Sequence, residues 1–386
     1  MTFRLTVDGP RWDQTLRQVY ERSPGLVPVI KGNGYGFGRA LLAGRCESLG
    51  APTVAVGTPA EVEAVRSAYS GEILVLEPLQ LSELRGQIPG LGAAGLSTEV
   101  RMSDGPVLRT VAHTDVLNAV GELVRPPRIV LELDSPVHRY GIALGELPAL
   151  KPVLARVPFA GAAIHLPVNG DRRHAVQTAH RAIGALRSAG IEPGALWVSH
   201  LSTEEVAWLR QQEPQTQIRP RVGTGLWLAD RKTFKVTGAV LDTHPVRPHE
   251  GVGYRQRKPP AGTLIVVSGG TAHGVGLQAS SARGRWRDLI RAALAGAAHG
   301  AGMTPSPFWW TDQKLHFADV PHLQVSMLLV PAGLIPPRPG DRLPCSARMT
   351  VTTFDEILVR TLDSPIAIQG RPLPPGPADQ AFFHCE

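Results

Sequence analysis

With 386 residues and a hydrophobic fraction of 43%, the chain is long enough for one large barrel plus a second domain and too apolar for wholesale disorder. Its net charge is +7, but the arginines are scattered and form no stripe or patch, which sets nucleic-acid binding aside. No apolar run is long enough for a membrane span, the N-terminus lacks a signal-peptide pattern, and the three cysteines, Cys46, Cys345 and Cys385, have no metal-ligand spacing. A reduced, cytoplasmic protein is expected, with no metal and no membrane partner.

Residues 12–22 carry apolar positions at helical spacing, and after a Pro-Gly turn 27–30 reads as a short apolar strand. A helix at 40–49, a strand at 53–57, a helix at 59–69 with Pro59 near its start, and a strand at 73–76 follow. An Ala/Gly/Ser-rich stretch at 87–106 reads as an insertion. Strands at 110–112, 128–133, 159–164, 196–198 and 218–222 complete the set, with helices at 115–123, 171–189 and 203–212 between them. About eight short strands separated by helices are the pattern of parallel βαβ units, and eight such units predict a (β/α)8 TIM barrel. The barrel domain is placed at 10–231. Beyond it Pro and Gly become frequent and short β-branched runs appear at 264–267, 328–330 and 349–353, with one helix at 285–298. Residues 232–386, together with 1–9, are therefore expected to form a mostly-β C-terminal domain.

The stretch from Val27 to Gly38, VPVIKGNGYGFG, joins the first barrel strand to a glycine-rich loop through Lys31. Desolvation of a lysine at the mouth of a buried strand would lower its pKa and free the amine as a nucleophile towards a carbonyl. Glycines beside it let backbone approach a ligand closely, and Tyr35 reads as an exposed aromatic. The alternative reading is a strand, a polar turn and a surface lysine. A phosphate loop is excluded, because Lys31 precedes the glycines.

A barrel places its functional residues at the C-terminal ends of strands. Asp134 and Arg139 follow the strand at 128–133, and His165 ends the strand at 159–164. Ser199, His200 and Ser202 follow 196–198, and Arg219, Arg221, Gly223 and Thr224 flank the last strand.

These residues carry a resemblance to alanine racemase and its relatives, the fold-type III pyridoxal-phosphate enzymes. Lys31, Asn33, Tyr35, Gly36 and Gly38 match the cofactor-lysine motif, which implies pyridoxal 5'-phosphate held as a Schiff base (aldimine) on Lys31, with Tyr35 close to it. Leu131 to Gly141, LELDSPVHRYG, is similar to the segment whose arginine lies near the substrate, so that role falls on Arg139. Glu132 matches a carbamylated lysine that orients this arginine in some members. By the same resemblance His165 lies behind the pyridine ring, Ser202 binds phosphate, Arg221 meets the pyridine nitrogen, and Gly223 and Thr224 bind phosphate through their amides. An arginine, which has only donors, leaves that nitrogen unprotonated and weakens the ring as an electron sink.

The second domain resembles the family with altered residues. Gly270-Thr-Ala-His-Gly274 is similar to a motif whose tyrosine is the second acid/base; here that position is Thr271, and His273, two residues on, is a candidate replacement base. Gln324 takes a substrate-side position of another segment. Asp355 takes the place of a phosphate-contacting tyrosine, unless the alignment slips by one and Phe354 lies there. The resemblance implies an amino-acid racemase or epimerase acting at the α-carbon of a small-molecule amino acid, working as a homodimer with shared active sites. The alternatives are a non-racemising enzyme of decarboxylase or aldolase type and a non-catalytic cofactor binder.

Overall fold

A computed structural model describes residues 2–84, 106–169, 171–277 and 304–361. The helix expected at 285–298, nearly all of the insertion at 87–106, and Cys385 lie outside the described residues. The described residues divide into two compact units: one holds those within 13–34 and 38–229, and the other holds 2–12, 35–37 and those from 230 onward.

Strand β1 (Arg4–Asp8) leads into helix α1 (Gly9–Arg22). Strands and helices then alternate as β2 (Val27–Ile30), α2 (Arg39–Ser48), β3 (Thr53–Val56), α3 (Val62–Arg66), β4 (Glu72–Pro78), α4 (Leu81–Leu84), β5 (Val107–Val111) and α5 (Thr114–Gly121). They continue as β6 (Arg128–Leu133), α6 (Leu147–Leu154), β7 (Phe159–His165), α7 (Arg172–Ser188), β8 (Ala195–Ser199), α8 (Thr203–Gln212), β9 (Gln217–Val222) and α9 (Thr224–Trp227). Strands β2 to β9 pair in parallel and close, with β9 beside β2, into the expected eight-stranded barrel.

Barrel strands are covered on both faces, so they read as continuous apolar runs; every residue of β2 and β3 is buried. Inward-facing Val27, Val29, Ala55, Leu74, Leu108, Val130, Ala163 and Trp197 fill the barrel. Outward-facing Leu131, Ile164 and Val198 meet Leu117, Leu150, Ile183 and Leu209 of the helical layer. Each such fully buried side chain contributes about 1.5–3 kcal/mol. Helix α7 shows the local logic: the Asp171 side chain accepts the Arg173 amide at the N-cap, and Ala175, Ala179, Ala182, Ile183 and Leu186 recur on its buried face. Helix α6 was hidden in the sequence by Pro148 and Pro152. Pro148 costs nothing in a first turn, where no donor is required, and buried Leu147, Leu150, Val153 and Leu154 outweigh the bond lost at Pro152.

The other unit is a twisted sheet built from β10 (Phe234–Val246), β11 (Gly262–Ser268), β12 (Thr304–Trp310), β13 (Gln313–Phe317), β14 (Val325–Pro331), β15 (Arg342–Pro344) and β16 (Glu356–Arg360). Its order is β12-β13-β14-β11-β10-β1-β16, with β15 also on β10, and β1 pairs in parallel with β16. The expected strand at 349–353 is instead a turn. Both the backbone amide and the hydroxyl of Thr352 donate to the Arg348 carbonyl, at 3.0 and 2.8 Å, which curls the chain back on itself.

Candidate active site

Lys31 follows the buried strand β2 at its C-terminal end. The loop after it needs its glycines: φ is positive at Gly32, Gly34, Tyr35, Gly36 and Gly38. At Gly34 a Cβ would also lie 2.5 Å from the carbonyl carbon of Gly38, so the loop folds tightly on itself. The loop is pinned by the Gly34 amide donating to the Lys31 carbonyl at 3.1 Å and the Gly38 amide donating to the Asn33 carbonyl at 3.3 Å. Tyr35, expected to be exposed, is 3% exposed. Close packing by Met349 and Phe354 is what Gly36 accommodates; a Cβ there would lie 2.9 and 3.0 Å from their side chains.

The register of the barrel sets His165, Ser199 and Arg221 side by side, as consecutive partners on β7, β8 and β9. Arg221 is buried. Its Nε donates to Ser199 Oγ at 3.1 Å and a terminal nitrogen donates to the Ile164 carbonyl at 3.1 Å. The other terminal nitrogen stands 3.5 Å from buried Glu132. Glu132, expected to orient Arg139, thus has Arg221 as its partner, and it compensates a charge that burial would otherwise disfavour. Arg139 is exposed and lies over the Tyr140 ring, 5.1 Å from the centroid. Arg219 points elsewhere, to Thr53 and Gln217 and over Trp197, which leaves Arg221 as the last strand's contribution to the site.

His165 and His200 meet edge to face, with ring centroids 4.9 Å apart. Burial pushes both imidazoles down, to about 3 and about 4, and the nearby positive charges of Arg221, Arg139 and Lys31 add to the shift. Both are neutral at ordinary pH. His200 also holds a left-handed backbone, φ 63°. Ser202 caps α8: its hydroxyl accepts the Glu205 amide at 3.3 Å, and its own amide donates to Glu205 at 2.6 Å. Its O–H remains a donor. Thr224 Oγ is buried with no hydrogen-bond partner, next to Gly223. The mouth of the barrel therefore gathers Lys31, Arg221, the two hydroxyls and two neutral imidazoles, a donor set suited to an anion carried by an aromatic ring. A separate cavity of about 410 Å³, lined by Pro24, Thr53, Gln217 and Arg219, opens at the opposite end, where barrels place no chemistry.

In the sheet unit, His273 is buried and engaged at both ring nitrogens. The Gly270 amide donates to Nδ1 at 3.2 Å, so Nε2 carries the proton, and Nε2 donates to Asp355 Oδ1 at 3.0 Å. Asp355 Oδ2 accepts the Phe3 amide at 2.8 Å. Burial raises this carboxyl, but the bonds from His273 and Phe3 more than offset it, and the group titrates below the ordinary carboxylate range. Asp355 is therefore a structural anchor, and Phe354, one residue earlier, is the side chain beside Gly36. Thr271 is exposed, and its hydroxyl donates to the His322 carbonyl at 3.3 Å. Gln324 is exposed, and its carbonyl accepts the Gly269 amide.

Ser199 and His200 are candidates in the sequence only by their place at a strand end, and Glu61 reads there as an acidic residue in the first turns of the helix at 59–69. The signal for Glu61 was the Thr58-x-x-Glu61 capping pattern, which reads as a helix start.

The alanine racemase N-terminal domain family matches residues 10–230. The chain is 25% identical over 295 residues to the alanine racemase of Corynebacterium efficiens, covering 71% of this chain and 76% of that one. It is 26% identical over 275 residues to the alanine racemase of Mycolicibacterium vanbaalenii, covering 65% and 66%. Among solved structures, alanine racemase from Streptomyces lavendulae superposes with a TM-score of 0.64 at 16% identity, covering 94% of this chain and 98% of that one. The Bartonella henselae alanine racemase with covalently bound pyridoxal phosphate superposes with a TM-score of 0.61 at 14% identity, covering 90% and 91%. The fold is that of the barrel-plus-β-domain racemases. The chain belongs to the alanine racemase family, as a member of low identity to these relatives.

Proposed function

We propose that this protein is a pyridoxal-phosphate-dependent enzyme acting at the α-carbon of an amino acid, of the racemase or epimerase class. The observation that carries the reading is one barrel mouth holding Lys31 at the end of β2 together with buried Arg221 and neutral His165. Pyridoxal phosphate, when bound, draws electrons from the substrate's α-carbon and makes its proton acidic. Lys31 would hold the cofactor through its amine and, once the substrate's amine has displaced it, would move the α-proton on one face. Arg221 keeps two of its five N–H donors beyond those bonded to Ser199 and Ile164 and the one facing Glu132, enough to meet a pyridine nitrogen without protonating it. The Ser202 and Thr224 hydroxyls and the Gly223 amide would hold the phosphate; the partnerless Thr224 Oγ fits that task. Neutral His165 would pack on the ring and Arg139 would bind the substrate; by the family resemblance, Tyr35 would serve the cofactor and Gln324 the substrate.

Racemisation needs an acid/base on each face of the planar carbanion. The alkyl hydroxyl of Thr271 is far too weak an acid for this near neutral pH, and His273 has both nitrogens in use. That engagement favours a second reading: an α-carbon reaction needing a proton on one face only, such as decarboxylation or a retro-aldol cleavage. A homodimer in the cytoplasm, with Thr271 presented to the second copy, is part of the same proposal.

Incubating the protein and cofactor with each amino acid in deuterium oxide tests it. Loss of the α-proton signal is expected, and chiral analysis beside carbon dioxide and aldehyde assays separates the two readings. No α-proton exchange or bond cleavage with any amino acid would overturn both.

A further inference from the structure

We propose that Glu61 is the positioning residue for Lys31, a role that rests on the function proposed above. Glu61 is a carboxylate only 8% exposed. Its Oε1 accepts the Gly32 amide at 2.7 Å. Its Oε2 accepts the Gly57 amide at 2.7 Å and the Thr58 amide at 3.3 Å. As a helix cap, Glu61 needs only the Thr58 amide, which is its longest bond. The two short bonds go outside the cap, to the residue after Lys31 and to the residue after β3.

The consequence is a clamp across two strand ends. Val56 pairs with Ile30 in the barrel, so Gly57 and Lys31 emerge side by side. Glu61 ties the amide of Gly32 to that of Gly57, while a guanidinium nitrogen of Arg39 donates to the Gly32 carbonyl at 2.5 Å. Both sides of the Gly32 residue are therefore fixed. The lysine's stem lies against the bare backbone of Gly57, where a Cβ would stand 3.3 Å from Lys31 Cβ and 3.0 Å from Glu61 Oε2. A carboxylate offers acceptors in two directions at once, which a carboxamide with one oxygen cannot do. Bonds from N–H groups to a buried anion are short and strong, and here they hold the base of Lys31 on a rigid frame.

The covalent step that depends on this is addition of the Lys31 amine to the cofactor aldehyde: a C=N bond forms, and the carbonyl oxygen leaves as water. Pyridoxamine 5'-phosphate has the same ring and phosphate but no aldehyde, so its binding is independent of where Lys31 points. The dissociation constants of both compounds, measured by calorimetry on the full-length protein and on Glu61→Gln and Glu61→Ala, separate positioning from general damage. Glu61→Gln keeps the side-chain volume and guards against a variant that fails to fold.

Pyridoxal phosphate is expected to weaken by about tenfold or more in both variants, equivalent to about 1.4 kcal/mol, while pyridoxamine phosphate stays within about twofold of the native value. Equal weakening of the two compounds, or no weakening of pyridoxal phosphate, overturns the positioning role. A native protein that binds pyridoxal phosphate no more tightly than pyridoxamine phosphate overturns the proposed function itself, and the inference with it.

Discussion

His273 Nε2 and Asp355 Oδ1 stand 3.0 Å apart, and the other nitrogen of the same ring accepts the Gly270 amide. The pair ties the loop carrying Thr271 to the start of β16 and, through the Phe3 amide, to the approach to β1. His273→Ala removes a partner from a buried amide and from a carboxylate. A loss of about 1–3 kcal/mol in unfolding free energy is expected by urea titration, with α-proton exchange per folded molecule unchanged. Lost interconversion of enantiomers per folded molecule, with unchanged stability, would instead make His273 the second base.

Thr271 is exposed, and in the proposed reading it takes the position of the family's tyrosine. Thr271→Tyr is expected to raise interconversion of alanine enantiomers by about 100-fold, the low end of what a positioned acid/base supplies. Chiral chromatography reads this directly. No gain would mean that residue 271 does not face the reacting carbon in the assembled enzyme.

His165 and His200 carry their depressed values only in the folded state. The unfolded chain, with histidines near 6.5, binds more protons between that value and about 4, so folding stability falls as pH drops through that window. His200→Asn should flatten this acid limb. The drop in unfolding free energy from pH 7 to pH 5 is expected to be smaller in the variant than in the native protein. Asp355 acts lower: its contribution is full above 3.8 and is lost as pH falls through the depressed folded value. Asp355→Asn should therefore lose stability at neutral pH and leave the window above pH 4 unchanged in shape.

The barrel was legible because its strands are buried on both faces and its helices alternate with them; the strands at 27–30 and 128–133 and the helix at 203–212 fall where their patterns placed them. The sheet was legible only in pieces. Strand β10 runs for 13 residues with Gly238, Pro245 and a bulge inside it, and each of these interrupts the alternation that marks a strand. Of the site, Lys31, His165 and Arg221 were readable from their places at strand ends. The partners of Glu132, Glu61 and His273 were not. Glu61 bonds a residue 29 positions earlier and His273 one 82 positions later, and no local spacing encodes such contacts.

Glu132 and Arg221 form a buried ion pair: burial lowers the arginine's pKa, and the carboxylate beside it acts in the opposite direction. Glu132→Gln is expected to cost about 3 kcal/mol of stability. Adding Arg221→Gln should recover part of this loss, because the pair is removed together. A double variant as unstable as the sum of the two single ones would show that the pair is not coupled.

The central claim is that Lys31 holds pyridoxal phosphate. Reduction of the cofactor-loaded protein with borohydride, followed by proteolysis and mass spectrometry, tests it most directly. The account predicts a phosphopyridoxyl group on the peptide containing Lys31, and none in Lys31→Ala. A protein that takes up no label, or takes it up on another lysine, would contradict it.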